Sequence, residues 1–104
     1  MTALFVIQAH VPDDPEIRRR YREYQSKVMP LIARHGGRLL ATGQNLETLE
    51  GADPDRRIIV LEFPEIQALR AFWASPEYTQ VRQLRDGCEV TAWAIPTLQA
   101  ADAV

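Results

Sequence analysis

The sequence predicts an α+β fold: one antiparallel sheet with helices packed against one of its faces. Three observations predict it. Short apolar runs rich in β-formers recur at residues 4–11, 38–42, 57–63 and 88–95. Between them lie segments whose apolar residues repeat every three or four positions. The chain has 104 residues and 46% hydrophobic content, enough for one core and one domain.

The first run, residues 4–11, ends at Pro12-Asp13-Asp14-Pro15. This is a turn followed by a helix start, with Asp14 as cap and Pro15 in the first turn. Ile17, Tyr21, Tyr24, Val28, Leu31, Ile32 and His35 then share one helical stripe that continues past Pro30. Gly36-Gly37 ends this helix, one glycine supplying the left-handed cap. Residues 38–42 read as a second strand and Gly43 as a turn or bulge. Residues 46–50 alternate weakly and read as a third strand. Gly51 to Asp55 is an exposed turn. The strongest strand is 57–63, where Ile58-Ile59-Val60-Leu61 is apolar without interruption.

Pro64 stops that strand. Ile66, Leu69, Phe72 and Trp73 mark a second helix. Ser75-Pro76-Glu77 starts a third, with serine as cap and glutamate near the positive helix end. Gly87 closes it, and residues 88–95 form the last strand. From about residue 98 the tail is expected to fray. The order is β-α-β-β-β-α-α-β. With the weak strand taken as an extension of a hairpin, this is the split βαβ, ferredoxin-like plan, with its helices on one sheet face.

The other sheet face cannot be polar. Ile58/Val60 and Ile59/Leu61/Phe63 have opposite parity and are all apolar, as are Leu4/Val6 and Phe5/Ile7. Apolarity on both faces implies cover on both, and the simplest cover for the open face is a second copy of the chain. A homodimer is therefore expected.

The net charge is −2, and the densest basic run, Arg18 to Arg22, is interleaved with glutamates. No basic face offers itself to nucleic acid. No apolar stretch is long enough to span a bilayer, and the N-terminus lacks the features of a secretion signal. Cys88 is the only cysteine, so no intrachain disulfide or thiolate metal cluster is expected. These features fit a reducing cytoplasm. His10 and His35 lack acidic company, and no metal or cofactor is expected. No nucleophile elbow, phosphate loop or dinucleotide glycine pattern occurs.

Polar groups on inward-reading faces suggest a pocket between helices and sheet. Tyr24, His35, Trp73 and Tyr78 would wall it, with His10, Glu62 and Arg85 as polar anchors. Aromatic walls with few polar groups suit a small organic molecule. Ordinary alternatives stand beside this. Glu62 and Arg85 could form a structural ion pair, His35 could serve the helix C-terminus, and Cys88 could simply pack. The faces of strand 57–63 decide whether Glu62 belongs to a site at all.

Several ordered segments carry a family resemblance. They are Tyr21-Arg22-Glu23-Tyr24, Pro30, Gly36-Gly37-Arg38, Gly43, Leu49-Glu50-Gly51, Glu62-Phe63-Pro64, Ala71-Phe72-Trp73, Ser75-Pro76-Glu77-Tyr78 and Arg85. With them the chain resembles a bacterial domain-of-unknown-function family, number thirteen-thirty, of the dimeric α+β barrel superfamily. The resemblance implies a ferredoxin-like subunit whose sheet packs on a partner sheet. It implies no reaction. The superfamily is similar in fold to cofactor-free monooxygenases, haem-degrading enzymes, muconolactone isomerase and stress-responsive proteins, many with sites between helices and sheet. The chain lacks the Asn/Trp/His set of the haem-degrading enzymes and the His–Asp pair of YciI-like proteins. Three readings remain: a cofactor-independent enzyme on an aromatic or oxo-acid substrate, a non-catalytic metabolite-binding or stress-related module, and a purely structural dimer.

Overall fold

The computed structural model describes residues 1–98. Its elements are β1 (Ala3–His10), α1 (Pro15–Arg34), β2 (Arg38–Thr42), a 3-10 turn (Gly43–Asn45), β3 (Arg57–Phe63), α2 (Ile66–Ala74), α3 (Pro76–Arg82), a second 3-10 turn (Gln83–Arg85) and β4 (Glu89–Pro96). The strands form one antiparallel sheet in the order β2-β3-β1-β4. This is the split βαβ, ferredoxin-like arrangement.

The caps follow the local chemistry. The Asp14 carboxylate accepts from the backbone N–H of Glu16 and Ile17, both at 3.0 Å, with Pro15 opening the helix. Gly36 takes φ +82° after the C-cap His35, a conformation other residues adopt only at a cost. Ser75 closes α2 and opens α3, donating to the Phe72 carbonyl oxygen (2.8 Å) and accepting from the Tyr78 N–H (3.2 Å).

The weak strand expected at 46–50 does not form. Gly43–Asn45 coils into the 3-10 turn, Leu46 ends that turn, and Leu49 is 92% exposed. An alternating pentapeptide becomes a strand only where it pairs with a sheet edge and buries a face, and residues 46–50 pair with no strand and stay exposed. The expected tail spans residues 98–104, of which 99–104 lie outside the described residues.

Register assigns the two faces. Ala3, Phe5 and Ala9 of β1 and Leu61 and Phe63 of β3 turn towards the helices and are buried. They pack with Val28, Leu31, Ile32, Leu69, Phe72 and Tyr78 in one core. Leu4, Val6 and Gln8 pair with Glu62, Val60 and Ile58 on one side and with Ile95, Trp93 and Thr91 on the other. These residues make up the opposite face, where Trp93 and Ile95 remain 44% and 47% exposed. The Cα framework is only 17 Å thick in its shortest dimension, as one helix layer on one sheet requires. At the far ends of β1 and β4, Thr97 clasps Thr2. Its backbone N–H and its hydroxyl both donate to the Thr2 carbonyl oxygen, at 3.0 and 2.8 Å, and the two hydroxyls lie 2.9 Å apart.

Candidate functional site

Two groups of polar side chains flank α1. The first joins α1 to α3 and the turn after it. The hydroxyls of Tyr24 and Tyr78 lie 3.0 Å apart. Tyr21 stacks on Tyr24 with ring centres 5.8 Å apart, while Tyr78 packs against Phe72 at 4.6 Å and Trp73 at 5.2 Å. The Arg85 guanidinium stands 6.0 Å from the Tyr24 ring centre, its Nε buried without a hydrogen-bond partner among the described residues. Burial pushes the Tyr24 hydroxyl far above the usual tyrosine range, and the neighbouring Tyr78 hydroxyl adds to the effect. Burial also raises Tyr21, against the pull of Arg57 and Arg85. Both are neutral phenols at physiological pH. Cys88 lies beside them as a free thiol, raised by burial and opposed by Arg85, Arg20 and Arg57. This flank is a packed polar seam with no thiolate nucleophile.

The second group borders a groove of about 710 Å³ at the end of β1 and the start of β3. Ala9, Arg57 and Ile59 line it from the sheet, Gln25 from α1, and Thr42, Gln44 and Leu46 from the β2 end; Pro54 to Arg56 and His10 complete the rim. A Cβ at Gly43 would come within 3.3 Å of the Ile58 Cβ, so the bare glycine lets this wall close on β3. Arg56 is engaged: its Nη2 reaches Glu89 Oε2 at 2.7 Å and its Nε lies 3.9 Å from Asp55. Arg57 instead lies over the Tyr21 ring, 5.2 Å from its centre, and has no carboxylate within ion-pair distance among the described residues.

The residues expected to share one pocket therefore separate. Tyr24, Trp73, Tyr78 and Arg85 come together in the seam. His35 sits at the end of α1, about 16 Å further along the helix. It donates from Nδ1 to the Leu31 carbonyl oxygen (2.9 Å) and rests edge-on to Phe72. Glu62 is on the open sheet face. Its Oε1 accepts from Arg38 Nε (3.1 Å) and Nη2 (3.0 Å), not from Arg85. The parity that groups Glu62 with Ile58 and Val60 is correct, but that set faces away from the helices. Of the expected residues only His10 lines the groove, at its rim.

Sequence reasoning missed Gln25, Thr42, Gln44 and Arg57. One signal was present: Arg57 shares the parity of Ile59, Leu61 and Phe63, and a cation at the end of a core-facing series asks for an opening. Among the described residues no three His, Cys, Asp or Glu side chains gather to hold a metal ion.

Over residues 2–97 the chain matches the family described as Domain of unknown function (DUF1330). It belongs to that family. No curated protein matches the chain. Among solved structures, this DUF1330 chain is similar to a protein of unknown function from Rhodopseudomonas palustris, with TM-score 0.71 and 19% identity over 94% of this chain and 83% of that one. It is also similar to SnoaB, a cofactor-independent oxygenase from Streptomyces nogalater, with TM-score 0.62 and 15% identity over 95% of each chain. A third likeness is to a dimeric protein of unknown function and ferredoxin-like fold from Bacteroides fragilis, with TM-score 0.63 and 13% identity over 92% and 96%. At these identities the likeness carries the fold.

Proposed function

We propose that the protein is a homodimer in which each subunit binds a small organic molecule in the groove beneath α1. The groove itself carries the proposal. Its volume of about 710 Å³ suits a small ligand, and its lining mixes apolar walls (Leu46, Ile59) with hydrogen-bonding groups (Gln25, Thr42). The open sheet face supports the dimer: Leu4, Val6, Val60, Trp93 and Ile95 lie side by side on it. The structurally similar Bacteroides fragilis protein is dimeric. No described helix is long and apolar enough to cross a membrane.

A thermal-shift screen of metabolites tests the binding. A ligand at a hundred times its Kd stabilises the folded state by about 2.7 kcal/mol, and its NMR shifts should cluster on the groove. Shifts confined to the Tyr24–Tyr78 seam would move the site there. Sedimentation should show a dimer at micromolar concentration and a monomer for Val6→Arg. A monomeric wild type would remove the second half of the reading.

A catalytic version of the same reading has one supporting observation. His10, whose imidazole can take up and return a proton, stands on the groove rim. The fold likeness to a cofactor-independent oxygenase is compatible with it. If the protein turns its ligand over, His10→Ala lowers kcat while leaving affinity within a few-fold. If it only binds, there is no rate to lose.

A further inference from the structure

We propose that the ligand is an organic carboxylate and that Arg57 is its anchor. This rests on the groove reading and narrows it to one chemical class.

Arg57 occupies an unusual position. It begins the series Ile59, Leu61 and Phe63 on the helix-facing side of β3, where every other member packs beneath the helices. Its neighbour Arg56, on the opposite parity, is held by Glu89 at 2.7 Å. Arg57 has no such partner among the described residues, and the one carboxylate in the groove lining, Asp55, lies against Arg56 at 3.9 Å and is 90% exposed.

What holds Arg57 is the ring of Tyr21, itself buried, 5.2 Å from the guanidinium carbon. A cation over a ring is held by the ring's quadrupole without using a hydrogen-bond acceptor. The N–H groups of a guanidinium point outward along its edges, and no salt bridge engages those of Arg57 among the described residues. The ring also fixes the side chain before any ligand arrives, which removes part of the ordering cost of binding. A planar two-oxygen acid matches such a fork with two parallel hydrogen bonds.

The rest of the groove sets the remainder of the ligand. Gln25 and Thr42 offer donors near the sheet, whereas Ile58, Ile59 and Leu46 give apolar contact. One guanidinium without a carboxylate partner among the described residues balances one negative charge, so a monoacid with an apolar body fits better than a phosphate dianion.

The test uses 2-naphthoate and its neutral isostere 2-naphthamide at constant ionic strength. Binding to the full chain is followed by calorimetry and by amide NMR shifts. The acid should bind about ten- to a hundredfold tighter than the amide and should shift residues of the groove. Arg57→Gln should bring the acid down to the amide's affinity, and Arg57→Lys should restore only part of it. Thermal melting of each ligand-free variant separates loss of the anchor from loss of the fold. If acid and amide bind the groove equally, or Arg57→Gln leaves the acid's affinity unchanged, the carboxylate assignment fails while the groove reading stands. If neither compound nor a wider panel of aromatic acids shifts a groove residue, both fail.

Discussion

Tyr24 and Gln25 are consecutive residues of α1, turned about 100° apart by the helix, and they look into different surroundings. Tyr24 faces α3, where phenol rings, Trp73 and Arg85 close against one another. Gln25 faces the end of the sheet, where polar groups stand around open space. Both flanks carry an arginine against a tyrosine ring. On the seam the arginine Nε is sealed in and the neighbouring hydroxyls are paired. On the groove side the guanidinium belongs to an exposed residue and has no carboxylate partner among the described residues. The contrast separates polar residues that stabilise the fold from polar residues that the fold holds ready.

The comparison predicts that the seam governs stability. Tyr78, only 1% exposed, touches Tyr24, Phe72 and Trp73. Tyr78→Ala should cost about 3–5 kcal/mol in urea denaturation, the usual loss for a large buried aromatic. A smaller loss would mean that the seam is as loosely filled as the groove. Next in size, Tyr24→Phe should cost about 0.5–1.5 kcal/mol, because the Tyr78 hydroxyl is left without its partner. Adding Tyr78→Phe should cost less than its separate effect, since the two hydroxyls act as a pair.

The stacked rings of Tyr21 and Tyr24 make stability sensitive to alkali. Tyr21 and Tyr24 have folded-state values raised above the ordinary 10.0. The unfolded chain therefore releases these protons first. The contribution is fully present below pH 10 and is lost as pH rises above it towards the folded-state values. Absorbance at 295 nm should show tyrosinate forming late in the folded protein, together with falling stability. Tyr24→Phe should shrink that pH dependence. Smallest of all, Arg57→Gln and Gln25→Ala should change unfolding free energy by no more than about 0.5 kcal/mol, as for surface positions. A loss above 2 kcal/mol from either would make the groove flank structural and erase the contrast.

The helix boundaries were legible because each is written in adjacent residues: Asp14 with Pro15, Ser75 with Pro76, and Gly36 after His35. The core stripe of α1 was legible from its spacing. The faces of β3 were legible only as two sets. Ile58-Ile59-Val60-Leu61 is apolar in both parities, and nothing local states which parity meets the helices. Glu62 was therefore grouped correctly, and only the assembled register shows that its set faces away from the helices. The weak alternation at 46–50 misled because a strand needs an edge to join. The groove was least legible, since residues 9, 25, 42, 46 and 57 meet only after the sheet is assembled.

The clasp between Thr2 and Thr97 has a practical consequence. It brings the outer ends of the first and last strands within one hydrogen bond of each other. The groove opens at the other end of β1, about 25 Å away along the strand. A short peptide bridge could join these two ends, and the exposed turn at Gly51 could be opened to give new ones, because such turns tolerate rearranged connectivity. The permuted chain would keep the sheet order β2-β3-β1-β4 while carrying one of its ends three residues before Pro54 of the groove rim, where an attached reporter group could respond to what enters.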